Sequence, residues 1–217
     1  MGAIARAAAN NITTSGVFTS SAIANSSVTG ITVLANASDG ITLISSQTAS
    51  SSASLSFTSG LDSTYKAYKF VFVNCKPATD NVNFTFNMST DAGSNYNVTK
   101  TTTYFEAYHD EADVDSFITY RTARDLAQST GFQDLYPDLG NGADESVSGS
   151  LTLLNPSSTT YVKHFISRLS NYEEANRMFD CFSAGYGNTT SAVNAIRFQM
   201  SSGNFDGDIK LYGVKKS

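Results

Sequence analysis

The sequence predicts an all-β protein: a jelly-roll-like antiparallel β-sandwich over residues 53–217, preceded by an extended N-terminal arm over residues 1–52. Three observations lead there. Apolar and polar residues take turns along many short segments, the period-2 pattern of strands that bury one face. Clusters of Gly, Asn, Asp and Ser separate those segments as turn signals. The composition agrees, with 14 Phe and 11 Tyr for the core and only 15% charged residues. Ser, Thr and Asn fill the surface instead, and such side chains compete with helical backbone hydrogen bonds.

The arm carries almost no charge and no Tyr. Asn10 to Ser27 reads as an extended stretch. A pattern then recurs, Gly30-Ile31-Thr32-Val33-Leu34 and Gly40-Ile41-Thr42-Leu43-Ile44, which predicts a small hairpin or two arm strands. The sandwich opens with Leu55 and Phe57 alternating with serines. Residues 68–73, apolar on both faces, predict a central strand. Val82, Phe84, Phe86 and Met88 share one face of the next. Strands are expected over Val98–Tyr108, Phe117–Tyr120, Val147–Leu154, Tyr161–Leu169 and Met178–Tyr186. One helical turn is expected over Arg124–Gln128. The rest of the stretch to Glu145, with Gly131, Pro137, Gly140 and Gly142, reads as a long surface loop. At the C-terminus Ile196, Phe198 and Met200, then Ile209 and Leu211, flank SSGNFDG and predict a β-hairpin that needs an opposing layer to cover its apolar face.

The net charge is −5, and the only adjacent lysines are Lys215 and Lys216. Binding to nucleic acid through phosphate neutralisation is not expected. No run is long and apolar enough to span a membrane, and the first residues lack the apolar run of a secretion signal. Cys75 and Cys181 each lie in an apolar run and read as two buried thiols, with a disulfide as the alternative.

Two acidic segments are candidate sites. Asp110, Glu111, Asp113 and Asp115 surround His109 and could offer Ca²⁺ its oxygen ligands, although the run lacks the glycine of an EF-hand loop. Asp138, Asn141, Asp144 and Glu145 form a second such group. Near them Tyr104, Tyr108, Tyr120 and Tyr136, with His109, could stack on and hydrogen-bond a saccharide or a protein partner; the alternative is that these tyrosines close the core. His164 alternates within a strand and reads as a packed residue. No nucleophile elbow, phosphate loop or metal-spaced His/Cys set occurs, and a non-enzymatic role is expected.

The segments SLSFTSGLDSTY (54–65), FNMSTDAGSNYNVTKTTTYF (86–105), LLNPSSTTYVKHF (153–165), GYGNTTSAVNAI (185–196) and SSGNFDGDIKLYGV (201–214) resemble a group of proteins from marine bacteriophages, cyanophages especially. The opening AAANNITTSGVF (7–18) is similar to the starts of those proteins. The resemblance implies a structural protein of the virion, as a tail fibre or tip component or a capsid decoration, with other virion proteins as partners. It supplies no catalytic residues and no cofactor. A homo-oligomer is expected, a trimer foremost, with host surface polysaccharide as an alternative ligand.

Overall fold

A computed structural model describes residues 40–173 and 177–214, and the described part is all-β. The expectations for Asn10–Ser27 and Gly30–Leu34 lie outside the described residues. Twelve strands follow one another: β1 (Ile41–Ser52), β2 (Leu55–Phe57), β3 (Ala67–Pro77), β4 (Val82–Ser89), β5 (Lys100–Asp110), β6 (Ser116–Tyr120), β7 (Gln133–Leu139), β8 (Ser146–Leu154), β9 (Lys163–Glu173), β10 (Arg177–Gly187), β11 (Ala195–Met200) and β12 (Phe205–Val214). Among the described residues one 3₁₀ turn occurs, Thr122–Arg124, which overlaps the expected helical turn over Arg124–Gln128 at Arg124 alone.

The strands form two antiparallel sheets. The larger has the order β1-β12-β3-β8-β9-β10-β5-β6, the smaller β2-β11-β4-β7. Four of the pairings nest: β1 with β12, β2 with β11, β3 with β8, and β4 with β7. The chain thus runs out through β1–β4 and returns through β7, β8, β11 and β12. The hairpin β5–β6 and the pair β9–β10 widen the larger sheet on the β8 side.

Alternation sets which residues face inward. Tyr68, Phe70 and Phe72 on β3, Leu151 and Leu153 on β8, and Phe205, Ile209 and Leu211 on β12 are buried from the larger sheet. Phe57, Phe84, Phe86, Ile196 and Phe198 meet them from the smaller one. Phe198 is the hub. Its ring centroid lies 5.1 Å from those of Phe70 and Phe72, 6.2 Å from Phe57 and Phe84, and 6.4 Å from Phe86.

Three sequence expectations need correction. Ile41–Ser52 is an edge strand of the larger sheet, paired with β12, so the sandwich begins near residue 41 and not 53. The two C-terminal strands do not form a hairpin. β11 pairs with β2 and β4 while β12 pairs with β1 and β3, and residues 201–204 carry the chain from one sheet to the other. Each apolar face still finds an opposing layer, which is the other strand's sheet. The supposed long loop contains β7, an edge strand that tolerates Pro137 because its outer side needs no donor.

Among the described residues, each of the four sheet edges carries a feature that discourages further pairing. β2 has three residues and β6 five. β7 carries Pro137 and the charged Asp134 and Asp138. β1 is interrupted by register shifts between Leu43 and Ser45 and between Ala49 and Ser52.

Candidate functional site

The β5–β6 hairpin places the first acidic segment at its tip. Asp110 Oδ1 accepts from the Val114 amide at 2.9 Å, Asp113 lies 3.0 Å from His109 Nε2, and Asp115 accepts from the Tyr108 hydroxyl. The carboxylates therefore serve the turn that they flank. The Val114 amide bond holds Asp110 below the ordinary carboxylate value. Among the described residues no three acidic, His or Cys side chains converge to hold a metal ion, so Asp110, Glu111, Asp113 and Asp115 are not assembled into a Ca²⁺ site. The second acidic group is likewise dispersed. Asp138 pairs with Arg124 at 2.8 Å, and the buried Glu145 accepts from the Gly142 amide at 2.5 Å.

The predicted aromatic cluster divides. Tyr104 and Tyr136 are core residues, 0% and 2% exposed, because strand alternation turns both inward. Tyr136 donates to Asn171 Oδ1 at 2.5 Å, and burial raises Tyr104 above the usual tyrosine range. These two are removed from the candidate ligand set. Tyr108 is also buried, with its hydroxyl on Asp115. Only His109 and Tyr120 of the set are exposed, and Tyr120 donates to Asp125 at 2.5 Å.

What sequence reading missed is a polar interior beneath the widened part of the larger sheet. On β5 the inward positions are Lys100, Thr102, Tyr104 and Glu106, all buried. Glu106 is matched by Arg121, whose Nε lies 2.7 Å from Glu106 Oε1. Thr102 donates to Gln133 at 2.5 Å. Cys181 is buried in the same layer, and burial pushes its thiol to about 12, as it does for Cys75, so both cysteines are inert free thiols. Lys163 is fully buried, and its ammonium donates to the carbonyls of Tyr161 at 2.6 Å and Thr189 at 3.2 Å. The signal available in the sequence was the alternation of Lys100, Thr102, Tyr104 and Glu106 itself, a polar face opposite Thr101, Thr103 and Phe105.

Burial holds Lys163 below its ordinary value of 10.5. The unfolded chain keeps that proton to higher pH than the folded one, so stability rises as pH climbs toward 10.5. Replacing Lys163 with Met is expected to flatten this part of the pH–stability curve, measured by denaturant midpoints above neutral pH.

The outer face of the larger sheet is the other feature. Across it Tyr120, Phe105, Phe182 and Arg168 stand in one row of register. Phe105 and Phe182 stack at 4.7 Å with planes 5° apart, and the Arg168 guanidinium lies 4.9 Å from the Phe182 ring while pairing with Asp180. Beside this ladder runs a shallow trough with Thr101, Thr103, Ala184 and Gly185 along it and His164, Ile166 and Tyr186 around it. Ile118, Ile166 and Tyr120 on this face are each more than half exposed. Such a surface can take an apolar partner or the ring of a ligand. No protein-family model matches the chain, and neither a curated protein nor a solved structure matches it at a significant level.

Proposed function

We propose that the chain is a non-enzymatic structural protein of a bacteriophage particle, placed in the virion as a tail fibre or tip component or as a capsid decoration. One observation carries the reading. The strand orders β1-β12-β3-β8 and β2-β11-β4-β7 support reading the sandwich as an eight-stranded jelly roll with β5–β6 and β9–β10 inserted. Jelly rolls recur in viral capsid and lectin domains. A fold alone does not assign a role; the resemblance of the sequence segments to marine phage proteins supports the first of these. The exposed apolar outer face supports packing against other virion proteins or against further copies of this chain, a trimer foremost.

A variant lacking residues 1–39, which keeps β1, is expected to fold but to be missing from purified particles by mass spectrometry. Its normal incorporation would remove the arm from the assembly role, and absence of the full chain from particles would remove the role itself.

The occurrence of jelly rolls among lectin domains supports a second reading, binding of host surface polysaccharide in the trough beside His164 and Tyr186. Threonine hydroxyls next to an aromatic ring suit a sugar. Retention on a glycan array separates this from a purely architectural part.

A further inference from the structure

Lys100, the first residue of β5, is fully buried. Its Nζ lies 2.5 Å from Asn87 Oδ1 and 2.8 Å from the Val98 carbonyl, and neither contact is to a carboxylate. Asn87, equally buried, sits on β4 in the opposite sheet. Its carboxamide is fixed on both sides. Nδ2 donates to the carbonyls of Tyr96 at 2.7 Å and Thr130 at 2.9 Å, and Oδ1 also accepts from the Met88 amide at 2.8 Å. The carbonyl carbon, Cγ, is one bond away from the oxygen that the lysine touches. An amine and a carboxamide are thus held together out of water, at a place where a bond would join the two sheets.

We propose that Lys100 and Asn87 form an intramolecular isopeptide bond after folding. The Nζ lone pair attacks Asn87 Cγ while the Met88 amide stabilises the charge that develops on Oδ1. The new Nζ–Cγ bond forms, the Cγ–Nδ2 bond breaks, a proton passes from Nζ to the departing nitrogen, and ammonia leaves. Lysine amine and asparagine amide become a secondary amide and ammonia, with no oxidant or co-reactant. The amine must be neutral to attack, and burial lowers Lys100 from 10.5 to about 7. Among the described residues no acid bonds to either group, so the proton moves between the two nitrogens, and the reaction is a slow maturation that quickens as pH rises through about 7. Lys163 is the internal comparison: it is equally buried but touches only backbone carbonyls, and it stays a free amine. The proposal does not depend on the particle role, although a covalent staple suits one.

Intact-mass spectrometry of the purified full chain, held at mildly alkaline pH, tests it. The expected mass is lower than the sequence mass by about 17 Da, one ammonia. Proteolysis is expected to yield a branched peptide joining residues 87 and 100. Lys100→Met and Asn87→Ala are each expected to restore the full mass. A wild-type chain that keeps its full mass after prolonged incubation overturns the proposal. So does a loss of ammonia that persists in Lys100→Met, which would place it elsewhere, such as a succinimide at Asn141-Gly142. Should either variant fail to fold, the branched peptide of the wild-type chain decides alone.

Discussion

Replacing Phe198 with alanine is expected to destabilise the sandwich by about 3–5 kcal/mol, the range for removing a buried aromatic ring. The ring is fully buried and sits among Phe57, Phe70, Phe72, Phe84 and Phe86, contributed by both sheets. No neighbour can close the space without leaving its own partner, because each of those rings is itself buried. The cost is therefore transfer plus cavity. Urea unfolding followed by fluorescence or circular dichroism checks it, as a lower midpoint with an unchanged slope. Phe105→Ala is the control. That side chain lies on the outer face at 41% exposure and is expected to cost about 1 kcal/mol or less. Equal losses at both positions would mean that the two-layer core is not where the stability resides.

Arg121→Ala is the second large effect. Glu106 points inward from β5 with its side chain 3% exposed, and Arg121 approaches it with Nη2 at 2.5 Å and Nε at 2.7 Å from the same oxygen. Removing the arginine leaves a buried carboxylate without its cation, a loss of about 3 kcal/mol. Glu106→Gln in the same chain is expected to recover most of it, since a neutral amide has far less hydration to lose. The double-mutant cycle separates the pair from its surroundings: a non-additive result supports the pairing, and strictly additive losses would count against it. The salt bridge is visible only in the folded chain, since the residues are fifteen positions apart on β5 and beyond the end of β6.

Much of the fold was legible because strand alternation is a local property. Phe84, Phe86 and Met88 were readable as one buried face of β4 from spacing alone, whereas β3 read as apolar on both faces and only the sheet decided that Tyr68, Phe70 and Phe72 point inward while Val73 is exposed. β7 was not, because Pro137 and the surrounding glycines look like loop chemistry; an edge strand accepts a proline that a central one would reject. The C-terminal pair misled for another reason. Two neighbouring strands joined by a glycine-containing link read as a hairpin, yet β11 and β12 have better partners far away in the chain. The candidate site fared worse. Tyr104 and Tyr136 could be placed near acidic segments by sequence distance, but only the sheet decides that both point into the core.

The sequence by itself determined the all-β character, the identity of most core residues and the low-charge surface, because each follows from which side chains repeat at period two. Only the tertiary structure decided that the strands pair in nested fashion, that β1 belongs to the sheet, and that Lys100 meets Asn87 across the two layers. Pairing partners and cross-layer contacts join residues distant along the chain, and their choice rests on which whole arrangement buries every apolar face at once.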